Sequence, residues 1–193
     1  FLGVPIYFMV EMYYDSKSIL LVNEKLSSFV SLFENLLHPI SLQRKIFHHL
    51  GELQGKKVLE YGCGVGNITQ RLTKCVLPGG EVYASDFVKH NVDIVSKKLK
   101  NHKHVTVFHH EHLTHFKTKQ KVPKVDKLVS NGVLSYTQKP QTVLSHMGEK
   151  VKKGGRVVFV DYDNFFHIIP NVPWISDLKK LKRMFRKAGF KVI

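Results

Sequence analysis

Val58-Leu59-Glu60-Tyr61-Gly62-Cys63-Gly64-Val65-Gly66-Asn67-Ile68-Thr69, or VLEYGCGVGNIT, is the stretch on which the reading of this chain turns. It runs from a short apolar segment, suited to a buried strand, through three glycines in five positions to a helix start. Glycine adopts backbone conformations closed to other residues and lets a ligand approach the main chain closely. A carboxylate, Glu60, stands directly before the turn. A glycine-rich turn does not identify its ligand, so the surrounding sequence has to.

Beyond Gly51 the sequence alternates between two periodicities. Strand candidates fall at 57–61, 81–85, 105–108, 127–130 and 156–161, with a stub at 190–193. Between them, Val88, Val92, Val95 and Leu99 lie at helical spacing, as do Val143, Leu144, Met147 and Val151, and then Leu178, Leu181 and Phe185. Short strands alternating with amphipathic helices predict a Rossmann-like, doubly wound α/β fold: a mostly parallel sheet with helices on both faces. In such sheets the ligand sits beyond the carboxyl ends of the strands.

The first fifty residues read differently. Val22, Leu26, Phe29, Val30, Phe33, Leu36 and Leu37 share one helical face, and Pro39 ends that helix. Ser41 is placed to cap a second helix with the stripe Leu42, Ile46 and Leu50, and Gly51 is its stop signal. The expected organisation is an N-terminal helical cap over residues 1–50 and a ligand-binding domain over 51–193.

A chain of 193 residues with 43% hydrophobic and 23% charged side chains has the composition of a globular domain. The apolar segment 1–10 is interrupted by Glu11, well short of the roughly 20 residues of a membrane span. Cys63 and Cys75 are the two cysteines, and a predicted helix between them keeps them too far apart to pair. That usage fits a reducing, cytoplasmic setting. Residues 1–60 are electrically balanced, so the whole net charge of +15 falls on residues 61–193. Such an excess suits an anionic partner, although a Lys-rich solvated surface has the same composition.

Against that basic background, the acidic residues are unevenly placed. Glu60 closes the first strand, Asp86 ends the second, Glu111 follows the third, and Asp161 and Asp163 leave the fifth. Asp126 precedes the fourth strand and reads as strand-edge solvation, while Asn131 follows it. Asp86 lies 20 residues after Gly66, where an acid can grip a ribose diol. A dinucleotide fingerprint, G-x-G-x-x-G, needs its third glycine at position 67, but Asn67 stands there and the spacing is G-x-G-x-G. The turn therefore suits an amino-acid part and a ribose lying against open backbone, with no pyrophosphate to hold.

VLEYGCGVGNIT, together with Asp86 in VYASD, resembles the cofactor site of the class I S-adenosylmethionine-dependent methyltransferases over most of residues 51–193. The resemblance implies that Glu60, Gly62, Cys63, Gly64 and Gly66 approach the methionine part of S-adenosylmethionine. It implies Asp86 at the ribose hydroxyls and Phe87 beside the adenine. Glu111 replaces the family's Asp near the adenine amino group, with a backbone N–H from His112 beside it. Asn131, Gly132 and Leu134 are the candidates after the fourth strand. Tyr136, Asp161, Asp163 and His167 are the candidates on the acceptor side, with Tyr136, Asp161 and His167 as the catalytic set. The family core has seven strands, the last in a hairpin antiparallel to the rest. This chain stops at about the sixth, so the expectation is either a truncated C-terminus that lacks the final hairpin or a sheet completed differently.

Other signals point to less. The run His109-His110-Glu111-His112-Leu113-Thr114-His115 lacks the H-E-x-x-H spacing of a zinc helix, because Thr114 stands where the second histidine belongs, and no metal site is expected. Trp174 reads as packing in a connection. Lysines cluster at 97–103, 117–124 and 179–187, but the second cluster lacks the interleaved aromatics of single-strand readers and no RNA-binding module is present. The segment Ser130-Asn131-Gly132-Val133-Leu134 also lacks the Asn-Pro-Pro-Tyr pattern of enzymes that methylate base amino groups. The reading is methyl transfer from S-adenosylmethionine to a small-molecule or lipid-like acceptor, with room for contact with an anionic membrane surface. An RNA or protein methyltransferase, and a non-catalytic module that binds the cofactor, are the alternatives. A nicotinamide oxidoreductase is disfavoured by the glycine spacing.

Overall fold

A computed structural model describes residues 40–110, 118–134, 137, 139–161, 164–165, 169–170 and 173–193. Helix α1 (Ile40–Leu50) leads into β1 (Lys57–Tyr61), α2 (Asn67–Cys75), β2 (Glu81–Asp86), α3 (Lys89–Lys98) and β3 (Val105–His109). There follow β4 (Val125–Asn131), α4 (Pro140–Lys150), β5 (Val151–Val160), the short β6 (Asn164–Phe165) and β7 (Ile169–Pro170), α5 (Pro173–Ser176) and α6 (Leu178–Lys187). The predicted helix at 18–37 lies outside the described residues.

The five long strands form one parallel sheet in the order β3-β2-β1-β4-β5. The chain winds outward from β1 in one direction and returns to place β4 on its other side. That reversal opens a crevice above the carboxyl ends of β1 and β4. Both faces are covered, in keeping with adjacent apolar residues such as Val58-Leu59, Leu128-Val129 and Val157-Val158 that face opposite sides of the sheet. On one face Val58, Val82, Val129 and Val158 meet Ile46 and Leu50 of α1 and Ile68 and Leu72 of α2. Ala84 meets Val95 and Leu99 on the same face. On the other face Leu59, Tyr61 and Leu128 meet Val143 and Met147 of α4.

Helix α1 is thus built into the core of the sheet domain. It ends where predicted, at Gly51, which has φ 71° and donates its N–H to the carbonyls of Phe47 and His48. Ser41 lies within the first turn of α1, not before it, so it does not cap the helix as expected. The fifth strand starts earlier than its apolar pattern suggests. Val125 pairs with Val151, but Lys127 pairs with Arg156, so the intervening Lys-Lys-Gly-Gly segment loops out and the regular ladder begins at Arg156.

Two further expectations are corrected. The stub at 190–193 is not a strand; the Phe190 ring packs instead near Phe159 and Phe185, with centroids 6.3 and 6.0 Å away. Asp126 is more than a solvated edge. Its carboxylate accepts from the Lys57 N–H at 2.8 Å and from Lys152 Nζ at 2.7 Å, tying together the amino ends of β1, β4 and β5. Burial raises its carboxyl, but those two donors and the nearby lysine charges outweigh it and hold Asp126 below its ordinary value.

Candidate cofactor and active site

Strand alternation puts Glu60 on the same face as Val58, and Asp86 on the same face as Val82 and Ala84. Both carboxylates therefore rise on the α2–α3 side of the crevice, from neighbouring strands. Both are buried, at 3% and 6% exposure, in a layer whose other buried polar side chains are Thr69, Thr73 and Asn91.

The turn between them is held by its own backbone. The N–H groups of Gly62 and Cys63 both donate to the Ser85 carbonyl, at 2.8 and 2.9 Å, and the Gly66 N–H donates to the Cys63 carbonyl at 2.9 Å. The Gly64 N–H donates to Asp86 Oδ2 at 2.8 Å. Asp86 Oδ1 accepts from the Val88 N–H at 2.8 Å and from Asn91 Nδ2 at 3.2 Å. Asp86 is thus the clamp that joins the glycine turn to the start of α3. Burial raises its carboxyl above the ordinary value, and the Val88 and Gly64 N–H groups, the Asn91 amide and His109 restrain the rise.

Glycine is required here for contact as well as for conformation. Gly62 and Gly66 have φ of 81° and 92°. A Cβ on Gly62 would stand 2.1 Å from Val133 Cγ2, and one on Gly66 would stand 2.9 Å from Val95 Cγ2. The first glycine lets the segment after β4 close over the turn; the third lets α3 pack against the start of α2. Gly66 also starts α2 in the left-handed region with no side chain capping the helix, which leaves its first turn open to an acidic ligand group.

Glu60 is the least balanced group in the site. Its Oε2 has no hydrogen-bond partner among the described residues. Burial pushes its carboxyl up to about 8, while the Thr69 hydroxyl opposes the rise and the Asp86 charge adds to it. A carboxyl poised in this way gains most from a cationic ligand.

Cys63 is placed differently. Its side chain packs with Ala84, Val95 and Leu99, its N–H and C=O are engaged in the turn, and burial raises its thiol well above the usual value. Its part is to shape the turn, and it has none of the thiolate character of a nucleophile.

The register aligns the other strand ends. Asp86 pairs with His109, Tyr61 with Ser130, and Asn131 with Val160, which puts Asp161 one residue beyond the last pair. Asp86, Asn131 and Asp161 therefore lie along one edge, at the ends of β2 and β4 and just past the end of β5. Phe87 follows Asp86 directly, and its carbonyl lies 2.7 Å from His109 Nε2. Glu111, His112, Tyr136, Asp163 and His167 lie outside the described residues.

Sequence reasoning missed Asn91, Thr69 and His110. Asn91 and Thr69 had a signal, since each is a polar residue on the inward stripe of its helix. His110 is fully buried, stacks on Tyr61 with centroids 4.6 Å apart, and lies 6.1 Å from the Phe87 ring. Burial, aided by His109, pushes it down to about 3, so it is a neutral aromatic wall of the site. It was hidden inside a run of histidines that reads as surface.

Comparison with known proteins fits this geometry. A family model described as a methyltransferase domain matches residues 52–189. The chain belongs to the class I S-adenosylmethionine-dependent methyltransferases. The methyltransferase is 30% identical to the demethylmenaquinone methyltransferase of a Geobacillus species, over 71% of this chain and 71% of that protein. It is 23% identical to the demethylmenaquinone methyltransferase of Anoxybacillus flavithermus, over 88% of this chain and 85% of that protein. Its fold is similar to the crystal structure of an S-adenosylmethionine-dependent methyltransferase from Aquifex aeolicus, with a TM-score of 0.68 and 21% identity over 84% and 89% of the two chains. The residues present fit the cofactor: a buried carboxylate oxygen with no partner among the described residues, a helix start with no side-chain cap among them and a clamped acid occupy one crevice.

Proposed function

We propose that the methyltransferase acts on a small-molecule or lipid-like acceptor, with the cofactor held between Glu60 and Asp86. The observation that carries the cofactor placement is the pair of buried carboxylates on either side of a left-handed glycine turn. Glu60 faces the cationic methionine end, and the open first turn of α2 receives the methionine carboxylate. Asp86 Oδ2 accepts one N–H from the protein, which leaves a lone pair for a ribose hydroxyl. Phe87, with His109 and His110 behind it, lines the adenine side. Glu111 and His112 remain candidates for the adenine edge.

When bound, S-adenosylmethionine supplies a methyl group already activated by its sulfonium. The protein's task is then alignment and exclusion of water. Asn131 and Asp161, at the ends of β4 and β5, border the acceptor side of the crevice. Asp161, Tyr136 or His167 takes a proton from the acceptor only where the attacking atom arrives protonated.

The acceptor class is supported by the two demethylmenaquinone methyltransferases, and by the apolar segment Leu2, Val4, Ile6, Phe8 and Met9, which suits an amphiphile. No helix among the described residues is long and apolar enough to cross a membrane. Incubation with methyl-labelled S-adenosylmethionine and fractionated cell extract tests the proposal. Label should enter the organic-extractable or small-molecule pool and be lost in Asp86→Asn. Label confined to RNA or protein would overturn it.

A further inference from the structure

The described part of α6 carries a surface that the methyl-transfer site does not use. Lys179, Lys180, Lys182, Arg183, Arg186 and Lys187 are all exposed, within ten helical residues. At about 100° per residue they fall within an arc of about 160°. The opposite side starts at the exposed Leu178 and carries Leu181, Met184, Phe185 and Ala188, which are half-buried against the fold. Phe185 packs near Phe159 of β5 with centroids 5.0 Å apart, and Gln141 Nε2 of α4 donates to the Met184 carbonyl at 3.2 Å.

Two features separate this face from an ordinary solvated one. None of the six cationic side chains forms an ion pair or hydrogen bond among the described residues, and Asp177, the acid at the N-cap of α6, accepts from the Lys180 N–H. The cations also repel one another along the helix, at Lys179–Arg183, Lys182–Arg186 and Arg183–Lys187. A partner of opposite charge relieves that repulsion.

Placement adds to this. Met184 is level with Gln141 in the first turn of α4, and Ala188 with Gly148 near its end, so the two helices run in the same sense. Residues 178–183 therefore extend beyond the start of α4, on the side of the sheet where the strands' carboxyl ends and the site lie.

We propose that α6 seats the enzyme on an anionic lipid surface through this basic face. The inference rests on the lipid-like acceptor proposed above. The face is flat and purely cationic, with no aromatic on the basic arc to stack a base, which favours a headgroup plane over single-stranded RNA. Its apolar side packs half-buried against α4 and β5, with Leu178 alone exposed at its start, so contact is chiefly electrostatic and fades with salt.

Vesicle sedimentation tests it. The protein should bind phosphatidylcholine vesicles containing about 30 mol % phosphatidylglycerol, and not pure phosphatidylcholine. Lys179→Gln/Lys182→Gln/Arg183→Gln/Arg186→Gln should weaken binding by on the order of a hundredfold, at about fivefold per cation discounted for spread. Lys97→Gln/Lys100→Gln/Lys103→Gln/Lys121→Gln removes the same charge from exposed positions elsewhere and should stay close to wild type. Equal loss in both variants, equal binding of wild type to neutral vesicles, or tighter α6-dependent binding to single-stranded RNA would each refute the proposal. Methyl transfer into a detergent-dispersed lipid extract tests the acceptor without a surface. Label there without vesicle binding refutes the docking alone; α6-dependent vesicle binding without label refutes the acceptor reading and leaves the docking standing.

Discussion

Glu60→Gln should change how cofactor binding and stability depend on pH. With its carboxyl at about 8, Glu60 carries about 0.9 of a proton at pH 7 in the cofactor-free protein. A cationic methionine end placed beside it favours the carboxylate, so binding releases that proton. Affinity should then rise with pH, by nearly tenfold between pH 6 and 7 and less as pH passes about 8. The same shift sets a stability slope. The folded value lies above the unfolded one of 4.5, so the contribution is complete below about pH 4.5 and is lost as pH rises through about 8. At about 1.4 kcal/mol per unit, the full window amounts to of order 5 kcal/mol as an upper bound. Calorimetric titration of S-adenosylmethionine at pH 7, in two buffers of different ionisation enthalpy, counts the protons directly. Wild type should release close to one and Glu60→Gln close to none, with the stability slope flattened in the variant. Equal proton release in both proteins, or none in wild type, would refute the placement of Glu60 at the cationic end.

The Gly62→Ala Cβ meets Val133 at 2.1 Å on a left-handed backbone, so thermal or urea unfolding should show a loss of about 3 kcal/mol. Adding Val133→Ala should recover the steric part and leave about 1 kcal/mol of backbone cost; no recovery would mean that Val133 is not what the glycine accommodates. Asp86→Ala orphans the Gly64 and Val88 N–H groups and should cost about 3 kcal/mol, whereas Asp86→Asn, which keeps an acceptor oxygen, should cost less than about 2. Both should lower cofactor affinity at least tenfold by calorimetry, and unchanged affinity in Asp86→Asn would remove Asp86 from the ribose site. Phe185→Ala should cost about 2 kcal/mol and free α6 to exchange amide hydrogens while β1 to β4 stay protected, as read by mass spectrometry.

The strands were readable because each is short, apolar and bounded by turn residues, and β1 appears at 57–61 as its pattern requires. The boundaries that slipped lie where tertiary pairing overrides local pattern. The loop at Lys152-Lys153-Gly154-Gly155 sits inside the span of β5, and Phe190 joins an aromatic cluster instead of a sheet edge. In the candidate site, Glu60, the glycines and Asp86 were visible because their spacing along the chain is itself a pattern. Asn91, Thr69 and His110 were not, because their importance lies in what they face.

By itself the sequence determined the layering of the fold and the class of ligand. Periodicity reports which faces are buried, and glycine spacing reports where backbone must be bare. Only the tertiary structure decided what those residues do to one another. It shows Asp86 holding the turn through Gly64, Gly62 admitting Val133, and Glu60 with its carboxyl pushed up by burial and its Oε2 without a partner among the described residues. Contact, desolvation and the balance of neighbouring charges depend on through-space distances, and a linear order of residues does not contain them.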